Sequence, residues 1–315
     1  MSKLHNNLKG SLILGFAALI WGGAFVVQSA IADTVQPFTL NALRSLIGVA
    51  FLSLLLLIKK RSTKKAILPK PAPERKRTLL AGALCGVLLT CSVNLQQFGL
   101  MLYPQGAAAE ARGGFLTSLY VVLVPLFSVF LGKRLRPQVV LAVLLATGGI
   151  YFLCLTDSIN GIYLGDVFIL LCALSFTLHI LAIDRLGSDI DGILLSTMQF
   201  FVCALLSGIL ALIFESFAWS DLPSVILPLL YMGVLSTGIA YTLQIVGQKF
   251  AEPTVASISM SLESVFAAIG GWLISGNTLS PREICGCVLM FSAIILAQLP
   301  RLIKPNNKHS HTTKL

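Results

Sequence analysis

Ten long apolar stretches, separated by short polar segments, account for most of this 315-residue chain. A helix that crosses a lipid bilayer needs about 20 mainly apolar residues, and each stretch is close to that length. The segments between them are too short for a separate soluble domain. The pattern therefore predicts an all-α integral membrane protein with ten transmembrane helices, near residues 10–31, 38–58, 78–102, 107–131, 137–155, 165–183, 192–214, 224–247, 254–275 and 283–299.

The second five stretches repeat features of the first five in the same order. The motif L-Q-x-x-G occurs at residues 95–99 and again at 243–247. A unit with an odd number of crossings enters the membrane from opposite sides in its two copies, which is the property of an inverted repeat. We therefore expect two inverted five-helix repeats, at 8–155 and 160–299, followed by a polar cytoplasmic tail at 300–315.

Further short matches support this alignment of the halves. Ala18 aligns with Ala173 and Arg44 with Gln199, both 155 positions further on, whereas the two L-Q-x-x-G motifs differ by 148. A decreasing offset is typical of a diverged duplication with small insertions and deletions. An inverted repeat is also the architecture of many transporters that open alternately to each side of a membrane.

Charge placement predicts how the chain is oriented. Hydrophobic residues make up 56% of the chain and charged residues 11%, with mean hydropathy +0.87. Basic residues concentrate at 59–77, after the fourth stretch and in the tail, while the alternate connections carry Asp33, Asp157, Asp166, Glu215 and Asp221. Because positive charge stays on the cytoplasmic side, we expect a multi-pass protein of the cell membrane with both termini in the cytoplasm.

Several kinds of partner can be judged from the same pattern. The basic run at 59–77 lies between two spans, so it indicates contact with the lipid bilayer rather than with a nucleic acid. All seven cysteines fall inside apolar spans, where cysteine acts as a small apolar side chain. We expect no disulfide, no metal and no cofactor, and the sequence leaves a monomer and a homodimer both open. The first span exceeds the roughly 7–15 apolar residues of a signal peptide, so we expect it to be retained.

Four short motifs resemble those of a known family. Residues 20–25 (I-W-G-G-A-F) resemble the iWGsnf signature of EamA-type transporters in the drug/metabolite transporter superfamily, and Leu43-Arg44 matches its lR. Residues 115–125 (F-L-T-S-L-Y-V-V-L-V-P) and 261–268 (S-L-E-S-V-F-A-A) are similar to its fourth-span and ninth-span motifs, with Ser264 in place of a usual proline. The resemblance implies a ten-helix fold around a central cavity, and secondary active export of small metabolites, amino acids or drugs.

Polar side chains inside apolar spans are candidates for the lining of that cavity, because such residues usually face a cavity or a partner. Asn94 and Gln97 lie three positions apart and share a helix face, whereas Gln96 aligns with Gln244, which favours a structural role for that pair. Arg44 lies within snorkelling reach of the surface. The candidate substrate-binding residues are Trp21, Asn94, Gln97, Thr117, Tyr120, His179, Tyr241 and Glu263.

Glu263 is the acidic residue predicted nearest the centre of a span. Burial favours the protonated form of a lone carboxyl. Glu263 could therefore bind and release a proton, which makes the proton a candidate coupling ion. Two other functional classes stay open, an intramembrane enzyme and a channel or scramblase. The sequence has no H-E-x-x-H, no G-x-S-x-G and no P-loop, and we expect a transporter rather than an enzyme.

Overall fold

The computed structural model describes residues 2–31, 34–64, 66–69, 71–103, 109–133, 135–154, 162–216, 222–267, 269 and 280–299. Within these residues the chain is helical and contains no β-strand. In the part of the chain that the structure describes, seven helices are long and apolar enough to cross a membrane, and two shorter apolar helices lie at Pro137–Phe152 and Ile284–Ala297. The molecule thus has the all-helical, strongly apolar character that the sequence predicts.

The helices follow the predicted apolar stretches in order. They are α1 (Ser2–Ala30), α2 (Pro37–Thr63), α3 (Ala72–Met101), α4 (Ala109–Ser118), α5 (Tyr120–Phe130), α6 (Pro137–Cys154), α7 (Leu164–Leu186), α8 (Gly192–Phe214), α9 (Leu222–Leu230), a π-helical segment (Tyr231–Ala240), α10 (Tyr241–Gln248), α11 (Pro253–Met260), the short helical segment α12 (263–267) and α13 (Pro281–Gln298). The π-helical segment joins α9 to α10 without a break.

Local chemistry defines several helix starts. Pro37 and Pro253 occupy the first turns of α2 and α11, where a missing backbone N–H costs nothing. Asp191 precedes α8 and accepts hydrogen bonds from the backbone N–H groups of Ile193 and Leu194, both at 3.1 Å. This capping satisfies two donors that have no partner within the helix.

Small residues allow the helices to approach closely. The most extensive contacts are those of α2 with α8, α6 with α13 and α3 with α7. Against the π-helical segment, a Cβ on Gly48 would lie 2.4 Å from Cγ2 of Thr237, and one on Gly233 would lie 2.5 Å from Cβ of Ile47. Close backbone contact of this kind drives helix association in lipid, where apolar side chains gain little by leaving the surrounding hydrocarbon.

Two of the predicted spans are interrupted near their centres. α4 ends at Ser118 and α5 begins at Tyr120, while α11 ends at Met260 and α12 follows after a two-residue turn. At the second interruption the Ser261 hydroxyl donates to the backbone carbonyl of Ile258 at 2.9 Å. Such a bond gives the backbone an alternative to the helical pattern. Neither interruption contains glycine or proline, the residues that usually mark a break in a helix. The sequence pattern therefore does not predict the interruptions.

Four ion pairs among the described residues lie at one end of the molecule, which we call the ion-paired end. Each joins a basic residue of the first half to an acidic residue of the second half. The pairs are Lys59–Asp191, Arg77–Asp189 at 3.3 Å, Lys133–Asp184 at 2.5 Å and Arg136–Glu252 at 3.2 Å. The two halves are therefore linked electrostatically at this end.

Asp191 combines a helix cap with one of these ion pairs. Burial raises the pKa of Asp191, but hydrogen bonds from the Lys59 ammonium and from the N–H groups of Leu194 and Ile193 outweigh it, so the pKa lies below its ordinary value. The neighbouring Lys249 donates to the carbonyl of Ile190. Asp191 is consequently ionised at neutral pH.

The opposite end is stabilised by carboxylates that accept hydrogen bonds. Glu215, which follows α8, accepts from the N–H groups of Phe38 at 2.8 Å and Thr39 at 2.7 Å, and from the Thr39 hydroxyl at 2.8 Å. Asp166 accepts from the Tyr103 hydroxyl at 2.7 Å. The acids Asp33, Asp157 and Asp221, which support the predicted orientation, and the tail at 300–315 lie outside the described residues.

Candidate functional site

A cavity lies inside the bundle, between helices α1–α5 of the first half and α7, the π-helical segment, α10, α11 and α12 of the second half. About 600 Å³ there is not filled by protein atoms, a figure that includes space open to solvent. Its apolar lining consists of Trp21, Ala24, Phe176, Ile180 and Met260. Its polar lining consists of Gln28, Arg44, Gln96, Thr117, Tyr120, Ser236, Tyr241, Gln244 and Glu263.

The two interrupted helices meet at this cavity. Tyr120, the first residue of α5, donates its hydroxyl to Oε1 of Glu263, the first residue of α12, at 3.1 Å. The hydroxyl oxygens of Ser118 and Ser264 lie 3.2 Å apart and share a hydrogen bond. The interruptions therefore bring polar side chains of the two halves together in the interior.

Arg44 and Glu263 give the cavity one residue of each charge. Their side chains are deeply buried, since the residues are only 7% and 9% exposed. Glu263 accepts a hydrogen bond from Tyr120. Within the described part of the chain Arg44 forms no ion pair or hydrogen bond, and its Nε is buried without a partner. Burying a charge without a partner is costly, so this arrangement suits a polar ligand.

Aromatic side chains form one wall of the cavity. The rings of Trp21 and Tyr241 meet edge to face with centroids 4.8 Å apart, and Tyr241 also packs on Phe200 at 5.0 Å. The indole N–H of Trp21 and Oε1 of Gln244 are buried without hydrogen-bond partners among the described residues. The wall thus combines an apolar surface with an unused donor and an unused acceptor.

Comparison with known proteins identifies the family. A family model described as the EamA-like transporter family matches residues 8–155 and 163–299, nearly the whole chain. The chain belongs to the EamA-like transporter family. It is therefore a multi-pass membrane transporter, and its family membership points to transport rather than to catalysis.

Relatives of this EamA-like transporter span almost the same length. An uncharacterized transporter from Archaeoglobus fulgidus is 29% identical over 293 residues, which cover 93% of this chain and 86% of the relative. The uncharacterized transporter YoaV from Bacillus subtilis is 21% identical over 285 residues, covering 88% and 92%. A crystal structure of a protein that is 23% identical superposes with a TM-score of 0.74 over 91% of this chain and 96% of that chain, and it shares the fold.

Five of the eight candidate residues converge on the cavity of this EamA-like transporter. They come from different helices, and they are Trp21, Thr117, Tyr120, Tyr241 and Glu263. Four of these pack or bond directly, since Trp21 contacts Tyr241 and Tyr120 contacts Glu263. The reasoning that polar residues in apolar spans face a cavity thus selected residues that lie together.

Asn94 and Gln97 do not line the cavity. Asn94 accepts a hydrogen bond from Asn41 of α2 at 3.0 Å and donates to Ser207 of α8 at 3.0 Å. Gln97 accepts from Gln28, which does line the cavity. The shared face of the two residues is therefore directed towards neighbouring helices, and their polar groups are satisfied there.

His179 also lies outside the cavity lining. It is completely buried, and its Nε2 lies 3.0 Å from Oε1 of Gln199. Its ring is 6.5 Å from that of Tyr241, centroid to centroid. His179 therefore packs behind the aromatic wall rather than on its open face.

Several lining residues were not among the candidates. Arg44 lies within snorkelling reach of the surface by its position in the sequence, which leaves a role in the cavity open, and the structure buries it in the cavity. Gln96 and Gln244 were interpreted as a structural pair, yet both line the cavity, and Gln96 donates to Thr117 at 3.2 Å. For Gln96 and Gln244 the predicted repeat is a signal that could have found them, because equivalent positions of an inverted repeat are expected to lie symmetrically about a shared axis.

Proposed function

We propose that this EamA-like transporter is a secondary active transporter that exports small metabolites, amino acids or drugs across the cell membrane by alternating access. The observation that carries the proposal is a cavity at the meeting point of two interrupted helices, lined by Arg44 and Glu263. Discontinuous helices at the interface of two repeats form the substrate and ion sites of many secondary transporters.

The proposal includes ten membrane-crossing helices in two inverted repeats, at 8–155 and 160–299, with the tail at 300–315 in the cytoplasm. Helix contacts support it, because they are reciprocal. The third predicted span (α3) packs on the sixth (α7), and the first (α1) packs on the eighth (the π-helical segment and α10). Three further contacts, of α2 with α8, α5 with α11 and α6 with α13, join equivalent spans.

The cavity lining has the same reciprocity. Three pairs of lining residues occupy corresponding positions of the halves, namely Trp21–Phe176, Gln96–Gln244 and Tyr120–Glu263. Their separations of 155, 148 and 143 positions continue the decreasing offset along the chain. A cavity lined by equivalent residues is expected on the pseudo-twofold axis, near the middle of the membrane.

Alternating access requires the ion-paired end to open and close. Each of its four ion pairs joins the two halves, so these contacts separate when the halves move apart there. The pairs are partly exposed, with Lys133 and Asp184 at 42% and 20%. Exposed pairs contribute only about 0–1 kcal/mol each, which allows repeated opening.

We also propose that the ion-paired end faces the cytoplasm. A cysteine introduced at Ser216, an exposed residue of the opposite end, should react in intact cells with a thiol reagent that does not cross membranes. A cysteine at the exposed Lys64 should react only after the cells are opened. Labelling of the Lys64 variant alone in intact cells would reverse the orientation.

Proton coupling at Glu263 is the last part of the proposal. The carboxyl is buried at the cavity and held by Tyr120, so a proton and a cationic group of the substrate would compete for the same oxygen atoms. Release of one would then accompany binding of the other. Export of substrate would in this way be driven by entry of protons.

Counterflow into proteoliposomes tests whether the protein is a carrier. Vesicles loaded with an unlabelled compound from a panel of amino acids and dyes should transiently accumulate the same labelled compound, with saturable rates. Protein-free vesicles are the control. Steady leakage without saturation or transient accumulation would favour a channel and contradict the proposal.

A further inference from the structure

The cavity is lined unequally by equivalent positions of the two halves. From the first two spans of the first half, its lining includes Ala24, Gln28 and Arg44. The positions 155 residues further on carry His179, Ile183 and Gln199. These three residues of the second half lie outside the lining, and none is more than 2% exposed. The same positions are therefore open in one half and enclosed in the other.

The enclosed residues lie towards the ion-paired end. Ile183 directly precedes Asp184, a member of that end. Gln199 lies in the first part of α8, which begins there. Gln28 and Arg44 lie towards the opposite end, near the end of α1 and the start of α2. The cavity thus extends away from the ion-paired end, whereas the enclosed residues lie beneath it.

The ring of Tyr241 separates His179 from the cavity. Tyr241 lines the cavity, and its ring centroid lies 4.8 Å from that of Trp21, which also lines it. His179 lies behind the ring of Tyr241, with the centroids 6.5 Å apart. A shift of this one aromatic side chain would therefore expose His179 to the open space.

His179 and Gln199 have hydrogen-bonding atoms that the present conformation leaves unused. Nε2 of His179 lies 3.0 Å from Oε1 of Gln199. Nδ1 of His179 and Nε2 of Gln199 are buried without a partner among the described residues. A buried polar atom without a partner lowers stability. Both atoms would gain partners in a conformation in which they meet water or a ligand.

The repeat indicates what that conformation is. An axis in the membrane plane relates the halves of an inverted repeat, so an exchange of their conformations gives the same cavity with its opening on the other side. The proposed alternating access implies such an exchange. After it, the positions of Ala24 and Arg44 would be enclosed, and those of His179 and Gln199 would be open.

We propose that His179 and Gln199 bind substrate in the opposite conformation, in which the cavity opens at the ion-paired end. This inference rests on the proposed transport function and adds two binding residues that the present conformation encloses. The two openings then differ in chemistry. The present one carries the permanent cation of Arg44, whereas the other carries an imidazole and an amide, which together donate and accept hydrogen bonds. The group bound there is a neutral polar one, such as a hydroxyl or an amide of the substrate.

The test measures which face of the membrane gives access to each position. All seven native cysteines are replaced by alanine, and one cysteine is introduced at His179 or at Ala24. The probe is a charged maleimide that does not cross membranes, applied to vesicles of each orientation, which Lys64→Cys identifies. His179→Cys should react from the face that carries the ion-paired end, and Ala24→Cys from the other face.

Breaking the ion pairs should change the two reactivities in opposite directions. Lys59→Gln with Lys133→Gln removes two pairs of the ion-paired end. Labelling of His179→Cys should then become at least about fivefold faster, because each exposed pair contributes up to about 1 kcal/mol, and labelling of Ala24→Cys should become slower. An unchanged rate at His179→Cys would overturn the proposal.

Ile169→Cys is the matched control on the same helix. Ile169 is completely buried, and so is Leu14, its equivalent in the first half. An exchange of conformations therefore exposes neither position, and Ile169→Cys should stay unlabelled from both faces. Labelling of Ile169→Cys as fast as His179→Cys would mean that α7 is generally accessible, and the proposal would fail. If His179→Cys does not fold, Ile183→Cys tests the same access with the same expected rates.

Protection by substrate tests binding itself. A compound of the amino acid and dye panel that is exchanged in counterflow is added at ten times its half-saturation concentration. It should slow labelling of His179→Cys by about tenfold in the variant without the two ion pairs, as expected for occupancy of a single site. Labelling that the exchanged compound does not slow would overturn the binding role.

The same measurements separate this inference from the transport function. Saturable counterflow together with an unreactive His179→Cys would refute the inference and leave the carrier intact. Reaction of His179→Cys and Ala24→Cys from both faces, without saturable counterflow, would indicate a continuous pore. That result would refute the carrier and the inference with it.

Discussion

Charged residues are paired at the ion-paired end but not in the central cavity. At the ion-paired end, basic residues of the first half meet acids of the second half, as in Lys133–Asp184 at 2.5 Å. In the cavity, Arg44 and Glu263 are both more than nine-tenths buried and do not pair with each other. At the ion-paired end, where water reaches the side chains, opposite charges form ion pairs. In the cavity, where the side chains are buried, the two opposite charges do not pair with each other.

We propose that the ion pairs hold a conformation and that the buried charges of the cavity bind a ligand. An exposed ion pair forms and breaks at little cost because water solvates both charges. A buried charge without a counter-charge is expensive, so it is retained only where something outside the protein can compensate it. The following predictions test this distinction, from the largest expected effect to the smallest.

Glu263→Gln should abolish transport driven by a proton gradient. Glutamine keeps the shape of the side chain and can still accept the hydrogen bond from Tyr120, but it cannot bind and release a proton. Gradient-driven export should fall to the level of protein-free vesicles, while exchange of substrate for substrate continues. Full uphill export with unchanged pH dependence would exclude Glu263 as the coupling group.

Glu252→Gln is the matched control, because it removes a carboxylate from the ion-paired end. Glu252 pairs with Arg136 at 3.2 Å and is 42% exposed. We expect this variant to retain gradient-driven export. If it failed as completely as Glu263→Gln, loss of any carboxylate would suffice, and the contrast between the two regions would disappear.

Tyr120→Phe should reduce export by about tenfold without changing membrane abundance. The variant keeps the aromatic ring and removes the hydroxyl that donates to Glu263 at 3.1 Å, and a hydrogen bond to an ionised group contributes about 1.5–3 kcal/mol. Tyr120→Ala should lower export at least as far. Abundance is measured in the same membranes, so a loss of protein can be distinguished from a loss of function. Normal export by both variants would mean that Tyr120 does not belong to the working site.

Asn94→Ala should weaken the fold and leave substrate affinity unchanged. Asn94 links α3 to Asn41 of α2 and to Ser207 of α8, and interhelical hydrogen bonds of this kind contribute about 0.6–2 kcal/mol in membranes. The purified variant should melt at a lower temperature. Its half-saturation concentration in counterflow should equal that of the wild type. A large rise in that concentration would return Asn94 to the substrate site.

The contrast also explains how far the sequence could predict the structure. Apolar stretches predict the helices because lipid imposes the same requirement on every span, and Glu263 and Tyr120 could be found as polar residues near span centres. The orientation of Asn94 could not be predicted, because its partners Asn41 and Ser207 come from distant parts of the chain. The burial of Arg44 could not be predicted either, because its position in α2 is equally compatible with burial and with snorkelling to the surface.

The Lys59–Asp191 pair should have the smallest effect. Asp191→Asn removes the charge but keeps a residue type that caps helices well, so a double-mutant cycle with Lys59→Gln isolates the ion pair. We expect a coupling of about 0.2–1 kcal/mol in thermal stability, decreasing with added salt. Because the pKa of Asp191 lies below its ordinary value, the stabilisation by the ion pair is present above about pH 4, the pKa of aspartate in the unfolded chain, and is lost as the pH falls further.

In transport, breaking the Lys59–Asp191 pair should favour opening of the ion-paired end, detected as faster labelling of a cysteine placed beside it. A coupling of several kcal/mol, insensitive to salt, would mean that this pair is buried like the charges of the cavity, and the distinction between the two regions would fail.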